Sequence, residues 1–341
     1  MKKVAFVLGT RAEAIKMLSI IRALERKGHD YKVLSTGQHD LTEFKFKNFV
    51  ELTPPKGKSG MFSSKLGAIT FLLRNTLKLR PLLKDCIVIV QGDTMSTMAG
   101  AVAGRLASGA LVCHVESGLR TGDYFAPFPE EISRVVTDNL ARLHFAPTQL
   151  SARNTPNSST FVVGNTVIDE LVASGVKPDE GDKVIVSIHR QENINDRKVM
   201  VKLVDAVEEL ALVFPVTFIL ANNTKRKLEE YGLLDRITQA CRTEPVMPYN
   251  EFVKLLASCR AVLSDSGGLA EECSFLGKPL MIFRTKTERM EAVNAGNALL
   301  GFQGDFISFI KSFKTTDEQR KVFGDGNAGE KIVGILEGLE K

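Results

Sequence analysis

The sequence predicts an α/β protein built from two doubly wound domains, each around a mostly parallel sheet. Short apolar, β-branched runs alternate with helical periodicity along almost the whole chain, which is the pattern of βαβ units. At 341 residues the chain also exceeds the size at which single cores usually stop growing, so two domains are expected.

The elements follow in order. "VAFVL" from Val4 is a first strand: despite the lysines before it, the run is too short for a secretory core and passes into Gly9 and a charged helix. In that helix Ile15, Leu18, Ile21 and Leu24 recur at helical spacing, and Gly28 suits its C-terminal cap. Next come "YKVLS", "CIVIVQGD", the small-residue helix "TMSTMAGAVAGRLASG" and "ALVCHVES". Strands this continuously apolar are covered on both faces. The plan then repeats with "KVIVSIH", a helix near Lys198 to Phe214, "VTFIL", the helix around "NEFVKLLASC", "AVLSD", the helix "LAEECSFLG" and "LMIF". The polar stretch "ASGVKPDEGD" marks the junction. Domains are therefore expected over residues 1–170 and 171–325, with 326–341 a C-terminal helix able to pack on either.

Composition narrows the classes. Hydrophobic content of 44% with 25% charged residues is ordinary for a soluble protein, and no apolar run approaches the roughly 20 residues of a membrane span. A net charge of +5 is too small to imply a nucleic-acid partner. The basic stretch "LGAITFLLRNTLKLRPLL" reads as an amphipathic helix with a solvated outer face. Cys86, Cys113, Cys241, Cys259 and Cys273 lack CxxC spacing and read as free thiols in a reducing, cytoplasmic compartment, not as zinc ligands.

Open α/β sheets bind ligands beyond the carboxyl ends of their strands. Here "GTRAEAIK", "STGQHD", "QGDT" and "VESGLR" follow strands of the first half, and "HRQEN", "SDSGG" and "RTKTER" occupy the same places in the second. Two polar rims suggest one cleft between domains. No G-x-G-x-x-G follows a strand and no Walker pattern is present, so no dinucleotide cofactor is expected, nor a metal. In "DSGGLAEE" Gly267 and Gly268 allow close backbone approach, and Ser266 with the helix amides offers donors to a phosphate oxygen. Arg11, Lys16, His189, Arg190 and Arg289 are cations suited to a diphosphate, although any one of them could instead pair with a local glutamate.

"HVESGLRTGDYFAPFPEE" is too rich in ionisable groups to be core filling. Its Glu116, with Glu130 and Glu131 after Pro127 and Pro129, joins Asp93 at the strand ends, as acid and base groups around a reactive carbon would. Arg120 reads as a local ion-pair partner.

Together "GTRAEAIK", "TGQHD", "QGDT", "HVESGLRTGD", "PFPEE", "GNTVID", "HRQEN", "DSGGLAEE", "LGKP" and "TERMEAV" occur in the order seen in the non-hydrolysing UDP-N-acetylglucosamine 2-epimerases, and the resemblance runs from about Val4 to Gly301. It implies two Rossmann-like domains facing a central cleft, as in B-type glycosyltransferases. It also implies interconversion of UDP-N-acetylglucosamine and UDP-N-acetylmannosamine without cofactor, in a homodimer. By motif position, Arg11, Lys16 and Arg289 resemble diphosphate or substrate contacts, Ser266 and Gly267 phosphate donors, Glu272 a ribose acceptor and Phe252 a uracil partner; Asp93, Glu116, Glu130 and His189 resemble the catalytic set. Departures are Ala12 and Met290, where the family usually has proline, and "MFSSKLGAIT", which lacks an Arg-Gln pattern associated with activation by substrate at a second site. Hyperbolic kinetics are therefore expected. The competing readings are an epimerase of another UDP-acetamido sugar, a hydrolysing epimerase, a B-type glycosyltransferase and a non-catalytic sugar-nucleotide sensor.

Overall fold

A computed structural model describes residues 1–53, 65–124, 128–156, 159–302 and 305–339. Pro127 and the first four residues of "MFSSKLGAIT" lie outside the described residues. Two compact units emerge: Met1–Glu170 completed by the C-terminal stretch from Gly324, and Leu171–Phe323.

The first unit contains β1 (Val4–Leu8), β2 (Tyr31–Ser35), β3 (Phe49–Glu51), β4 (Ile87–Gln91), β5 (Leu111–Val115), β6 (Leu143–Ala146) and β7 (Thr160–Val162). They pair in parallel in the order β3-β2-β1-β4-β5-β6-β7. The two-residue period of a strand sorts β1 between two cores. Val4, Phe6 and Leu8 pack with Met17, Ile20 and Leu24 of α1 (Arg11–Arg26). Ala5 and Val7 pack with Ala99, Ala101 and Ala103 of α3 (Met95–Leu106). The small residues of α3 let it lie close on the sheet: a Cβ on Gly100 would sit 2.8 Å from Val90 Cγ1 and 2.9 Å from Val7 Cβ. The C-terminal helix Ala328–Gly338 closes this unit by placing Ile332, Val333 and Leu336 against α1, and the buried Asp169 accepts the Ala328 and Gly329 amides at 3.0 and 2.7 Å.

Two helices of this unit depart from ordinary amphipathicity. In α2 (Lys65–Leu79) the outer face carries Leu66, Ile69, Leu73 and Leu77, all exposed, where a polar, solvated face was expected. Phe71 and Leu79 are buried on its inner side. In α4 (Glu130–Leu140) the pattern is inverted: Glu131, Ser133, Arg134, Thr137 and Asp138 are buried while Ile132, Val135 and Val136 are partly exposed. Burying five polar residues is costly unless each finds a partner.

The second unit contains β8 (Val184–Ser187), β9 (Val216–Ile219), β10 (Arg242–Glu244), β11 (Ala261–Ser264), β12 (Leu280–Ile282) and β13 (Ala298–Leu300), in the order β10-β9-β8-β11-β12-β13 and again parallel. Val186, Leu203, Val207, Phe218, Leu263 and Phe283 anchor its core. The edge strands β3, β7, β10 and β13 and the interior strand β6 were not anticipated; at three residues each, and four in β6, they are too short to display a period. In both sheets the strand order reverses beside the first strand, between β1 and β4 and between β8 and β11, and the polar segments lie at these switch points.

Candidate functional site

At the first switch point, α1 and α3 begin side by side. Thr10 and Thr94 cap them, each in a reciprocal capping box. Glu13 ties the two caps together. One carboxylate oxygen accepts from the Gly9 and Thr10 amides at 2.9 and 2.7 Å, and the other from the Thr94 and Thr97 hydroxyls at 2.7 and 3.0 Å. Burial raises the Glu13 pKa against the lowering effect of these bonds. Thr94, and not the neighbouring Asp93, is therefore the cap, which leaves Asp93 for other contacts.

Glu116 follows β5 with a φ of 67°, a left-handed conformation costing a non-glycine residue about 1–2 kcal/mol. Its buried carboxylate receives Lys16 Nζ at 2.7 and 2.9 Å, Asn165 Nδ2 at 3.0 Å and the Gln91 side-chain amide. Lys16 comes from α1, Gln91 from the end of β4 and Asn165 from the turn after β7. Three separate segments thus hold one carboxylate at the sheet's carboxyl end.

Asp93 accepts from Arg134 of α4 at 2.5 Å, and the same guanidinium reaches Glu131 at 2.8 Å. Glu131 also accepts the Thr121 and Gly122 amides at 3.1 Å, so it braces the loop after β5. Glu130 stands one residue earlier, at the first position of α4. The next turn of the buried face brings Asp138, which takes Arg120 Nη2 at 2.6 Å, His114 Nδ1 at 2.6 Å, Ser117 Oγ at 2.5 Å and the Gly118 amide at 3.2 Å. Burial by itself pushes Asp138 up, but His114, His144 and Arg120 together bring its carboxyl well below the usual range. The inverted polarity of α4 thus serves its neighbours: Glu131, Arg134 and Asp138 hold Asp93 after β4 and the loop after β5.

Arg11 stands apart from this cluster, in an exposed ion pair with Glu43 at 2.8 Å. Its backbone amide donates to His39 Nδ1 at 3.3 Å, and burial followed by the charge of Arg11 lowers the His39 pKa.

In the second unit the buried Asp265, at the end of β11, organises the rim. It accepts the His189 amide at 3.1 and 3.2 Å, the Arg190 amide at 2.9 Å and Asn193 Nδ2 at 3.0 Å. The His189 ring is half-exposed, with Nδ1 3.5 Å from Asp265 Oδ1. Arg190 Nε donates to the Asp265 carbonyl at 2.8 Å. Arg289 is buried between Glu271 at 3.0 Å and Glu288 at 2.5 Å, and Arg284 meets Glu288 at 2.9 Å, with burial lowering the Arg284 pKa. Gly267 lies against this group: a Cβ there would come within 2.4 Å of Glu288 Oε1 and 2.7 Å of Arg289 Nη1. Ser266 and Gly268, partly exposed, precede the helix Leu269–Leu276, whose first turn holds Glu271 and Glu272. Glu272 accepts from Tyr249 Oη at 2.8 Å, and Phe252 lies one turn on from Tyr249. Lys278 of "LGKP" is buried, donating to the Cys259 carbonyl at 2.8 Å; burial lowers its pKa.

Of the anticipated residues, Lys16 and Glu116 touch each other, Asp93 pairs with Arg134 of the helix that Glu130 begins, and His189, Arg190, Ser266, Gly267, Gly268 and Arg289 gather on the second rim. The sequence reading singled out neither Gln91, Asn165, Arg134 and Asp138 nor Asp265, Glu271 and Glu288. A carboxylate ending the apolar run "AVLSD" marks Asp265, and the i, i+3, i+7 charges of "EEISRVVTD" mark α4. Among the described residues no cluster of three or more His, Cys, Asp or Glu is arranged to hold a metal ion.

The chain is 32% identical to the UDP-N-acetylglucosamine 2-epimerase of Methanocaldococcus jannaschii, with 98% of each chain covered. The crystal structure of that organism's enzyme in complex with UDP-GlcNAc and UDP matches the fold with a TM-score of 0.81 at 29% identity, over 98% of this chain and 99% of that one. The Neisseria meningitidis UDP-GlcNAc 2-epimerase bound to UDP-GlcNAc matches equally well, at 0.81 and 28% identity over 99% and 100% of the two chains. The family model for UDP-N-acetylglucosamine 2-epimerase matches residues 22–337. With that span of the sequence matched and both switch points built as described, the chain belongs to the UDP-N-acetylglucosamine 2-epimerase family.

Proposed function

We propose that this chain interconverts UDP-N-acetylglucosamine and UDP-N-acetylmannosamine without releasing free sugar. The observation that carries the reading is the pair of carboxylates, Asp93 and Glu116, at adjacent strand ends, one held by Arg134 and the other by Lys16, Gln91 and Asn165. The sugar's C2 proton is not adjacent to a carbonyl, so direct deprotonation would be too slow. In the elimination route a base takes the C2 proton as the C1–O bond breaks, giving 2-acetamidoglucal and UDP. UDP then re-adds at C1 while an acid delivers a proton to the opposite face of C2. Asp93, Glu116, Glu130 and His189 supply the proton-transfer and orienting groups. Arg11, Lys16, Arg190, Arg289 and the Ser266–Gly268 turn stabilise the departing diphosphate, with Glu272 on the ribose and Phe252 on the uracil. The relatives' complexes with UDP-GlcNAc and UDP support the substrate.

The test is a proton NMR time course of UDP-N-acetylglucosamine with the purified protein in deuterium oxide. UDP-N-acetylmannosamine carrying deuterium at C2 is expected; free N-acetylmannosamine would mean a hydrolysing enzyme, and an unchanged nucleotide sugar would overturn the reading.

We further propose a homodimer in the cytoplasm. The exposed stripe Leu66, Ile69, Leu73 and Leu77 at 3- and 4-residue spacing supports a helix-to-helix contact, and five free cysteines support a reducing compartment. No helix among the described residues is long and apolar enough to cross a membrane.

A further inference from the structure

Behind the first rim lies a buried chain of hydrogen bonds that the reaction scheme does not use. His114 and His144 are cross-strand neighbours on β5 and β6, both fully buried. His114 Nδ1 lies 2.6 Å from Asp138 Oδ1, and its Nε2 lies 2.8 Å from the Gly92 carbonyl oxygen. Both ring nitrogens therefore face acceptors, and a neutral imidazole has only one N–H to give. With Asp138 ionised, as its lowered pKa implies, the two contacts are satisfied together by an imidazolium. Asp138 receives the matching donors, from Ser117 Oγ, Arg120 and the Gly118 amide. Because the Ser117 proton points to Asp138, His144 Nδ1, 2.9 Å from Ser117 Oγ, donates to that hydroxyl. The charged and titratable groups around the His114 ring are Asp138 from α4, His144 from β6 and Arg120 from the loop after β5; Glu131 and Arg134 stand on the same face of α4.

The chain ends at both loops of the rim. The Gly92 carbonyl belongs to the peptide that leads into Asp93, and a Cβ on Gly92 would be 3.5 Å from Glu116 Oε2. Ser117 and Gly118 directly follow the left-handed Glu116. One carboxylate thus anchors the backbone on each side of the two reacting groups.

We propose that Asp138 and His114 are positioning residues for the epimerisation: a buried carboxylate–imidazolium pair that locks the Gly92–Asp93 peptide and the Glu116–Gly118 turn into one geometry. This rests on the function proposed above. The proton on His114 Nε2 keeps the Gly92 carbonyl turned toward the sheet; without it, a ring lone pair faces a carbonyl oxygen and the loop rotates away.

Two measurements test it. In the wild-type protein at about pH 7, nitrogen NMR of His114 shows N–H on both ring nitrogens, and a ring with a single N–H overturns the pair. Asp138→Asn removes the anion from the node that holds His114, Ser117, Arg120 and the Gly118 amide. At about pH 8, kcat falls about 100-fold while KM and the Kd for UDP stay within about twofold, because misplacement acts on the transition state. His114→Gln shows the same loss in kcat, and it serves if Asp138→Asn does not fold. Wild-type kcat in either variant overturns the proposal. A wild-type protein with no epimerase activity overturns the function proposed above and with it the positioning role, while the nitrogen spectrum separately decides whether the charged pair exists.

Discussion

The two units present the same topology at their switch points and opposite chemistry. At the first, carboxylates are the subject: Glu116 is held by an ammonium and two amides, and Asp93 by a guanidinium. At the second, the buried carboxylate Asp265 is scaffolding that gathers the His189 and Arg190 amides, and the surface it supports is a glycine turn beside an arginine–glutamate cluster. A doubly wound sheet supplies a place where segments converge, and the side chains delivered there decide whether the place moves protons or holds phosphates. Ion pairing separates them further. Lys16 pairs with the single carboxylate of Glu116, whereas Arg289 is shared between two glutamates.

That division of labour predicts unequal consequences. Glu116→Gln, which keeps shape and loses charge, lowers kcat by about 1,000-fold and leaves UDP affinity at the wild-type value. Turnover by NMR and UDP binding by calorimetry read the two halves apart, and parallel losses in both would erase the distinction. Asp138→Asn strips the anion from a buried pair and costs about 3 kcal/mol of folding stability near neutrality. Because the folded Asp138 titrates below its unfolded value of about 3.9, its contribution is complete above that pH and disappears as pH falls through the folded value. The stability gap between variant and wild type, followed by denaturant titration, therefore narrows below about pH 4.

A smaller effect is expected on the second rim. Gly267→Ala places a methyl against Glu288 and Arg289 and weakens UDP binding about tenfold, or about 1.4 kcal/mol, with kcat at saturation preserved. A lower saturated rate would mean that this rim also does chemistry. Smallest of all, Leu73→Lys on the exposed face of α2 changes stability by less than about 0.5 kcal/mol. It converts the proposed dimer to monomer, which light scattering reads; an unchanged mass would move the interface elsewhere.

Much of this was legible before any coordinates. The apolar runs located β1, β2, β4, β5, β8, β9, β11 and β12, because strands covered on both faces have no choice of residue type. The polar segments after them located the two rims. What escaped was whatever lacks a period or inverts one. Three-residue edge strands have too few positions to alternate. The helix α4, polar side inward, violates the rule by which a buried face is found, so Arg134 and Asp138 read as ordinary surface charges. Lys16 was legible as a rim cation, but that it would meet Glu116, 100 positions later, was not.

The sequence by itself determined which residues are apolar and at what spacing, and therefore which segments become strands and which strand ends carry chemistry. Burial acts on each segment through its own pattern, so that information is local. Only the tertiary structure decided the pairings: which cation meets which carboxylate, that both ring nitrogens of His114 face acceptors, and that Asp138 serves two loops at once. Hydrogen bonds depend on distances of about 3 Å between atoms that the chain separates by tens of residues, and those distances exist only after the sheets have formed.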